Sequence, residues 1–196
     1  MLLLAFACTS LPAQSWKKDI RKFRKDLDAH YRDPESSPLN EEDLPGFKRH
    51  AYFPMDKAYR VEATIERTPD AEPFIMATVS GKKKTFRKYA DLHFNIADEA
   101  LVLAVYQYFD PKTETYSEEL FLPFKDDTSG EESYGGGRYI DLPMPQEAAK
   151  TMVLDFNQCY NPYCAYSAGW NCPIPPVVNH LNVPIYAGVM AWDSDH

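Results

Sequence analysis

One stretch constrains this chain more than any other: Leu154 to Leu181, LDFNQCYNPYCAYSAGWNCPIPPVVNHL. It holds three of the four cysteines and four of the sixteen prolines, set among Asn, Tyr and Trp. Proline has no backbone N–H to give, and Asn turns its side chain onto the backbone, so the run cannot continue a helix or a central strand. It predicts a long ordered loop, held by side-chain hydrogen bonds, ring packing and, in an oxidising compartment, one disulfide among Cys159, Cys164 and Cys172. Such loops tend to carry function.

The chain before this loop alternates. Tyr59 to Arg67 puts Tyr59, Val61, Ala63 and Ile65 on one side and Arg60, Glu62, Thr64 and Glu66 on the other, a half-buried strand. Phe74 to Ser80 and Lys84 to Tyr89 read as a hairpin about Ser80-Gly81. Leu92 to Ile96 and Leu101 to Tyr108 make a second pair. Ser117 to Leu122, Arg138 to Leu142, Thr151 to Phe156 and Val183 to Ala187 complete the expected strands. Spacing of this kind predicts a mainly β domain, an antiparallel sheet forming a barrel or sandwich, with α+β as the alternative.

Ser15 to Arg32 breaks the pattern. Trp16, Ile20, Phe23, Leu27 and Tyr31 recur at spacings of three and four, an amphipathic helix closed by Pro34. Its other face carries Lys17, Lys18, Arg21, Lys22, Arg24 and Lys25, read as a solvated basic face of a helix packed on its own domain. Ahead of it, Met1 to Ala13 reads as the remnant of a secretory signal, cleaved after Ala13, which leaves a single domain over 14–196 and a secreted or periplasmic protein. The alternatives are a lipoprotein anchored through Cys8 and an apolar N-terminus of a cytoplasmic protein. A net charge of -8 argues against nucleic-acid and anionic-membrane partners, which need a positive field. No run is long and apolar enough to span a bilayer.

The common catalytic signatures G-x-S-x-G, H-E-x-x-H, the Walker loop and the dinucleotide fingerprint are absent, and no cofactor is implied. Two segments remain. In Phe124 to Asp141, FKDDTSGEESYGGGRYID, three glycines precede Arg138. Backbone N–H groups beside a guanidinium can hold a carboxylate or phosphate; the alternative is a glycine bulge with Arg138 salt-bridged inside the protein. Alternation puts Arg138 on one face with Ile140 and Leu142, so it is expected to be partly buried and to need a carboxylate or an anionic ligand. Asp126, Asp127 and Asp155 are the candidate partners, and an Arg138–Asp155 contact is the expectation. In the long loop, Asp155, Asn157 and Asn161 either cap backbone groups or bind a ligand or hard cation. Zinc would need Cys159 and His180 as further ligands, and a Cys164–His180 nucleophile pair is the remotest reading.

Taken together the two segments resemble a family known as DUF1684, a domain of unknown function. The likeness rests on Phe53-Pro54, Phe124, Asp126, Thr128-Ser129-Gly130, Tyr134-Gly135-Gly136-Gly137-Arg138-Tyr139 with Asp141, and Leu154-Asp155-Phe156-Asn157. It runs on through Tyr160-Asn161-Pro162, Cys164-Ala165-Tyr166, Cys172-Pro173, Pro175-Pro176, Asn179, Leu181 and Ala187-Gly188. The resemblance implies one domain and brings no activity, cofactor or catalytic residue. The family pattern has a small residue where this chain has Cys159. That implies a buried thiol behaving as a small hydrophobe and leaves Cys164–Cys172 as the disulfide. Val189 stands where Glu is usual, and Lys125 and His180 stand where Arg is usual.

These readings converge on a binding module for a small polar or anionic ligand, with Arg138, Tyr134, Gly136, Asp126, Asp155, Asn157 and Asn161 as the candidate site. The rival is a hydrolase-type enzyme using Asp126 or Asp155 as general base or metal ligand. A third reading is structural, with the polar cluster only pinning the loop.

Overall fold

The computed structural model describes residues 12–192. The segment read as a signal remnant lies outside the described residues except for its last two, and so does Cys8. One helix, α1 (Pro12–Arg32), precedes seven strands: β1 (Arg60–Arg67), β2 (Phe74–Met76), β3 (Lys84–Ile96), β4 (Glu99–Asp110), β5 (Thr115–Phe124), β6 (Arg138–Pro143) and β7 (Thr151–Asp155). They form one antiparallel sheet in the order β6-β5-β4-β3-β1-β7, with β2 on the first part of β3, and the sheet curls into a half-barrel. The expected mainly β architecture with an N-terminal helix is the one observed.

Two expected strands, Lys84–Tyr89 and Leu92–Ile96, are one. The register with β4 shifts between Lys88 and Ala90, a bulge that lets consecutive Tyr89 and Ala90 both be buried. This local break in alternation made a single strand read as two. The concave face holds the core: Ala63, Ile65, Leu92, Phe94, Leu103, Val105, Leu120, Leu122, Phe124, Ile140, Leu142 and Leu154, closed by Phe156, Cys159 and Ile185.

Val183–Ala187 is not a strand, contrary to expectation. It is irregular chain, with the Ala187 N–H bonded back to the Ile185 carbonyl, and an arginine side chain takes the Ile185 and Ala187 carbonyls. The helix stripe is as read, with Trp16, Ile20 and Tyr31 buried. Arg24 departs from the expected solvated face: its guanidinium lies 4.4 Å from the Tyr52 ring and donates to the Phe53 carbonyl at 2.8 Å. Tyr31 packs edge-on against Tyr166, which ties the helix to the long loop. No described helix is long and apolar enough to cross a membrane.

Cys164 and Cys172 are bonded and Cys159 is a buried free thiol, the pairing that the family resemblance implied. Burial pushes the Cys159 thiol up to about 11. The bridge closes a short loop, so opening it by Cys164→Ala/Cys172→Ala is expected to cost roughly 2–3 kcal/mol in the chain-entropy account. Urea unfolding of the oxidised protein against this variant checks the figure; an unchanged midpoint would mean that ring packing alone fixes the loop.

Candidate functional site

Arg138 opens β6 and is 1% exposed, the largest fully buried side chain among the described residues. Its partner is Asp126, at 2.7 Å, not Asp155. Asp126 sits two residues past the end of β5 and accepts as well from the Thr128 hydroxyl (2.8 Å), the Ser129 hydroxyl (3.2 Å) and the Ile185 N–H (2.9 Å). The guanidinium also donates to the carbonyls of Ile185 (2.9 Å), Ala187 (2.6 Å) and Val189 (3.3 Å). These carbonyls belong to one irregular segment, in which the Ala187 N–H turns back onto the Ile185 carbonyl at 2.9 Å and Gly188 has φ +77°, and one guanidinium ties the segment down. Phe53 and Phe124 rings close over it at 5.7 and 5.4 Å. The expected burial of Arg138 is therefore observed, and the charge is answered from within the protein.

Gly137 closes the turn before β6 with φ +90°, and a Cβ there would come within 2.5 Å of the Phe124 carbonyl. A Cβ on Gly136 would strike the Tyr134 ring, and the Tyr134 hydroxyl donates to the Cys164 carbonyl at 3.3 Å. The glycines thus serve close packing of the turn against the long loop.

Asp155 lies elsewhere, at the end of β7. It accepts from the Trp16 indole N–H (2.7 Å) and the Asn157 N–H (3.1 Å) and pairs with Arg60 at 3.3 Å. Asn157 is bonded both ways to the backbone of Asp56, at 3.0 and 2.8 Å. Asn161 donates to the Met190 carbonyl at 2.8 Å. The seven candidate residues thus do not form one site, and both carboxylates that a hydrolase reading would use are buried and bonded. Cys164 is in the disulfide and is no nucleophile. Among the described residues no three His, Cys, Asp or Glu side chains gather as a metal-binding set.

The long loop does shape an open site, on the other face of the sheet. Strand alternation puts Lys84 and Phe86 of β3, Tyr108 of β4, Glu119 and Phe121 of β5, and Tyr139 and Asp141 of β6 on the convex side. The loop is strapped across them at both ends. Tyr160 exchanges backbone hydrogen bonds with Tyr139 at 2.9 and 3.0 Å. At the far end Cys172 and Ile174 bond to Val79 and Ala77, and the Tyr139 hydroxyl donates to the Pro173 carbonyl. Between sheet and strap lies a cleft of about 690 Å³, walled by the loop's Tyr160, Tyr163, Trp170 and Cys172. That volume is typical of small-molecule sites. A second hollow of about 600 Å³ lies beside Arg24, His50 and Trp192.

The cleft is aromatic with charged ends. Phe121 and Tyr139 meet edge-on at 4.7 Å, Tyr139 and Tyr160 at 6.0 Å, and Tyr163 and Trp170 at 4.8 Å. Asp141 accepts from the Tyr160 hydroxyl at 2.6 Å. Asp141 keeps an exposed flank, yet desolvation by the rings pushes its carboxyl pKa up; the Tyr160 hydrogen bond works against this and the Glu119 charge adds to it. Desolvation lowers the Lys84 pKa. The rings were individually legible as strand or loop residues. What the sequence did not reveal was that the loop folds back over the convex face, which puts them opposite one another.

A family model described as a protein of unknown function, DUF1684, matches residues 45–190. The solution NMR structure of an uncharacterized protein from Haloarcula marismortui is similar, at 31% identity with a TM-score of 0.73, over 93% of this chain and 97% of that one. No curated protein matches.

Proposed function

This chain belongs to the DUF1684 family, and we propose that it is a binding module that holds a small polar molecule with a flat or apolar face in the cleft under the long loop. The observation that supports this reading is the cleft itself: about 690 Å³, open to solvent, ring-lined, with carboxylates and an ammonium at its rim. Rings supply contact area at little entropic cost, and a few polar groups fix orientation. The Gly-rich turn and Arg138 enter as the frame on which the loop is mounted. The disulfide in the cleft wall favours an oxidising compartment, in keeping with export.

Trp170 reports on the site. It is 37% exposed and lines the cleft, whereas Trp16 is buried with its indole bonded to Asp155. In a titration with water-soluble ring-bearing fragments followed by indole N–H NMR signals, the Trp170 signal is expected to move while that of Trp16 stays. The shifts should vanish for fragments of any kind in a Tyr139→Ala/Trp170→Phe variant when backbone signals of β5 and β6 are followed. If no fragment perturbs the cleft signals, or if all shifts gather elsewhere, the binding reading falls.

A further inference from the structure

Resting on that reading, we propose that the cleft selects organic ammonium ions, quaternary ones included, and seats the cationic head between Asp141, Glu119 and the surrounding rings. Three features of the β5–β6 end carry the inference. The first is the pair of carboxylates. Phe121 faces Asp141 in the register and Glu119 faces Pro143, so Glu119 and Asp141 are diagonal neighbours on the same face. Like charges held this close repel, and no described cation pairs with either. A ligand cation relieves that repulsion, and a neutral or anionic ligand leaves it in place or adds to it.

The second feature is the ring geometry. Phe121, Tyr139 and Tyr160 follow one another at interplanar angles of 72° and 89°, and Tyr163 and Trp170 stand at 66°. Rings set nearly at right angles present faces and edges to a common space, and the negative ring face attracts a cation. An alkylated ammonium head suits such a corner, because its methyl groups pack on the rings while its charge faces the carboxylates. A metal ion does not suit it, since it would want several oxygens in place of the rings.

The third feature is polarity along the cleft. Lys84, the one cation among the described residues that lines it, belongs to β3, three strands from Asp141 on β6. At the usual strand spacing that is about 14 Å. The ligand's positive end is therefore directed to β6, and a second positive charge reaching β3 would be repelled. Monocations are favoured over long dications.

Choline and its neutral carbon analogue 3,3-dimethylbutan-1-ol test this, because they differ in charge and scarcely in shape. With the Trp170 indole signal as readout, choline is expected to bind at least about tenfold more tightly than the alcohol. Asp141→Asn and Glu119→Gln, each checked for an unchanged urea midpoint, should both shrink that preference. Choline has no titratable proton. A loss of its binding as pH falls through the carboxylate range would therefore report protonation at the site, with binding retained above that range. Equal binding of choline and the alcohol would overturn the ammonium proposal and leave the cleft as a ligand site. Failure of choline to move Trp170 while neutral fragments do would also overturn it. Failure of every compound, charged or neutral, would remove the underlying binding reading as well.

Discussion

Replacing Arg138 by methionine is expected to cost about 3–5 kcal/mol, a large share of the stability of a domain this size. The effect follows from what is left behind. Methionine fills much of the volume but donates nothing, so Asp126 stays buried with no cation opposite it. The carbonyls of Ile185, Ala187 and Val189 lose the guanidinium in the same step, although the Ile185 carbonyl keeps the Ala187 N–H. A double variant isolates the ionic part. Asp126→Asn keeps an acceptor for the Ile185 N–H and removes the charge, so Arg138→Met/Asp126→Asn should lose less than the two single losses added together. A coupling of about 1–3 kcal/mol is expected from a pair in direct contact. Urea unfolding of the four proteins measures it. Losses that simply add, or an Arg138→Met variant within about 1 kcal/mol of the parent, would show that the pair is solvated and would reopen the turn as a ligand site.

The same residue shows where sequence reasoning reaches and where it stops. Alternation with Ile140 and Leu142 was enough to bury Arg138, and burial was enough to require a carboxylate. The choice of carboxylate was not legible. Asp155 is at the end of β7, and Asp126 is brought over by the 125–137 turn, whose path depends on Gly137 passing under the Phe124 carbonyl. The run Val183–Ala187 failed for a related reason. Its Ala187 N–H turns back onto the Ile185 carbonyl and the guanidinium takes up the Ile185 and Ala187 carbonyls, so no ladder forms, and hydrophobic period does not distinguish the two. The helix and most strands were legible because Trp16, Ile20 and Tyr31, or Ala63 and Ile65, each face a core within their own element. The cleft was not, because Phe121, Tyr139 and Tyr160 become a site only once the loop folds back over the convex face.

A comparable loss is expected at Asn179, where the sequence offered no warning. Tyr106 of β4 faces Phe121 of β5, so continuing the register would place Ala104 opposite Pro123. Pro123 has no N–H, and the ladder cannot extend to that pair. Asn179 fills the gap. Its side-chain oxygen accepts from the Ala104 N–H at 2.8 Å, and its NH₂ donates to the carbonyls of Ala104 and Pro123 at 2.8 and 2.7 Å. Asn179→Ala orphans three backbone groups at a fully buried site and is expected to cost about 3–5 kcal/mol. Asn179→Asp keeps the shape but turns a carboxylate oxygen toward two carbonyls. Burial and those carbonyls would raise its folded pKa above the unfolded value of about 3.9. A raised folded pKa contributes stability at low pH that is lost as pH rises through it, so the deficit of Asn179→Asp should narrow in acid while that of Asn179→Ala does not. Parallel urea midpoints for the two variants from neutral to acid pH would refute the assignment of these hydrogen bonds. Asn179 closes the 3-10 turn that follows Pro173 to Pro176, the far strap of the loop. Its loss should therefore broaden the Trp170 signal in protein that remains folded, which links a buried amide between two strands to the order of the cleft.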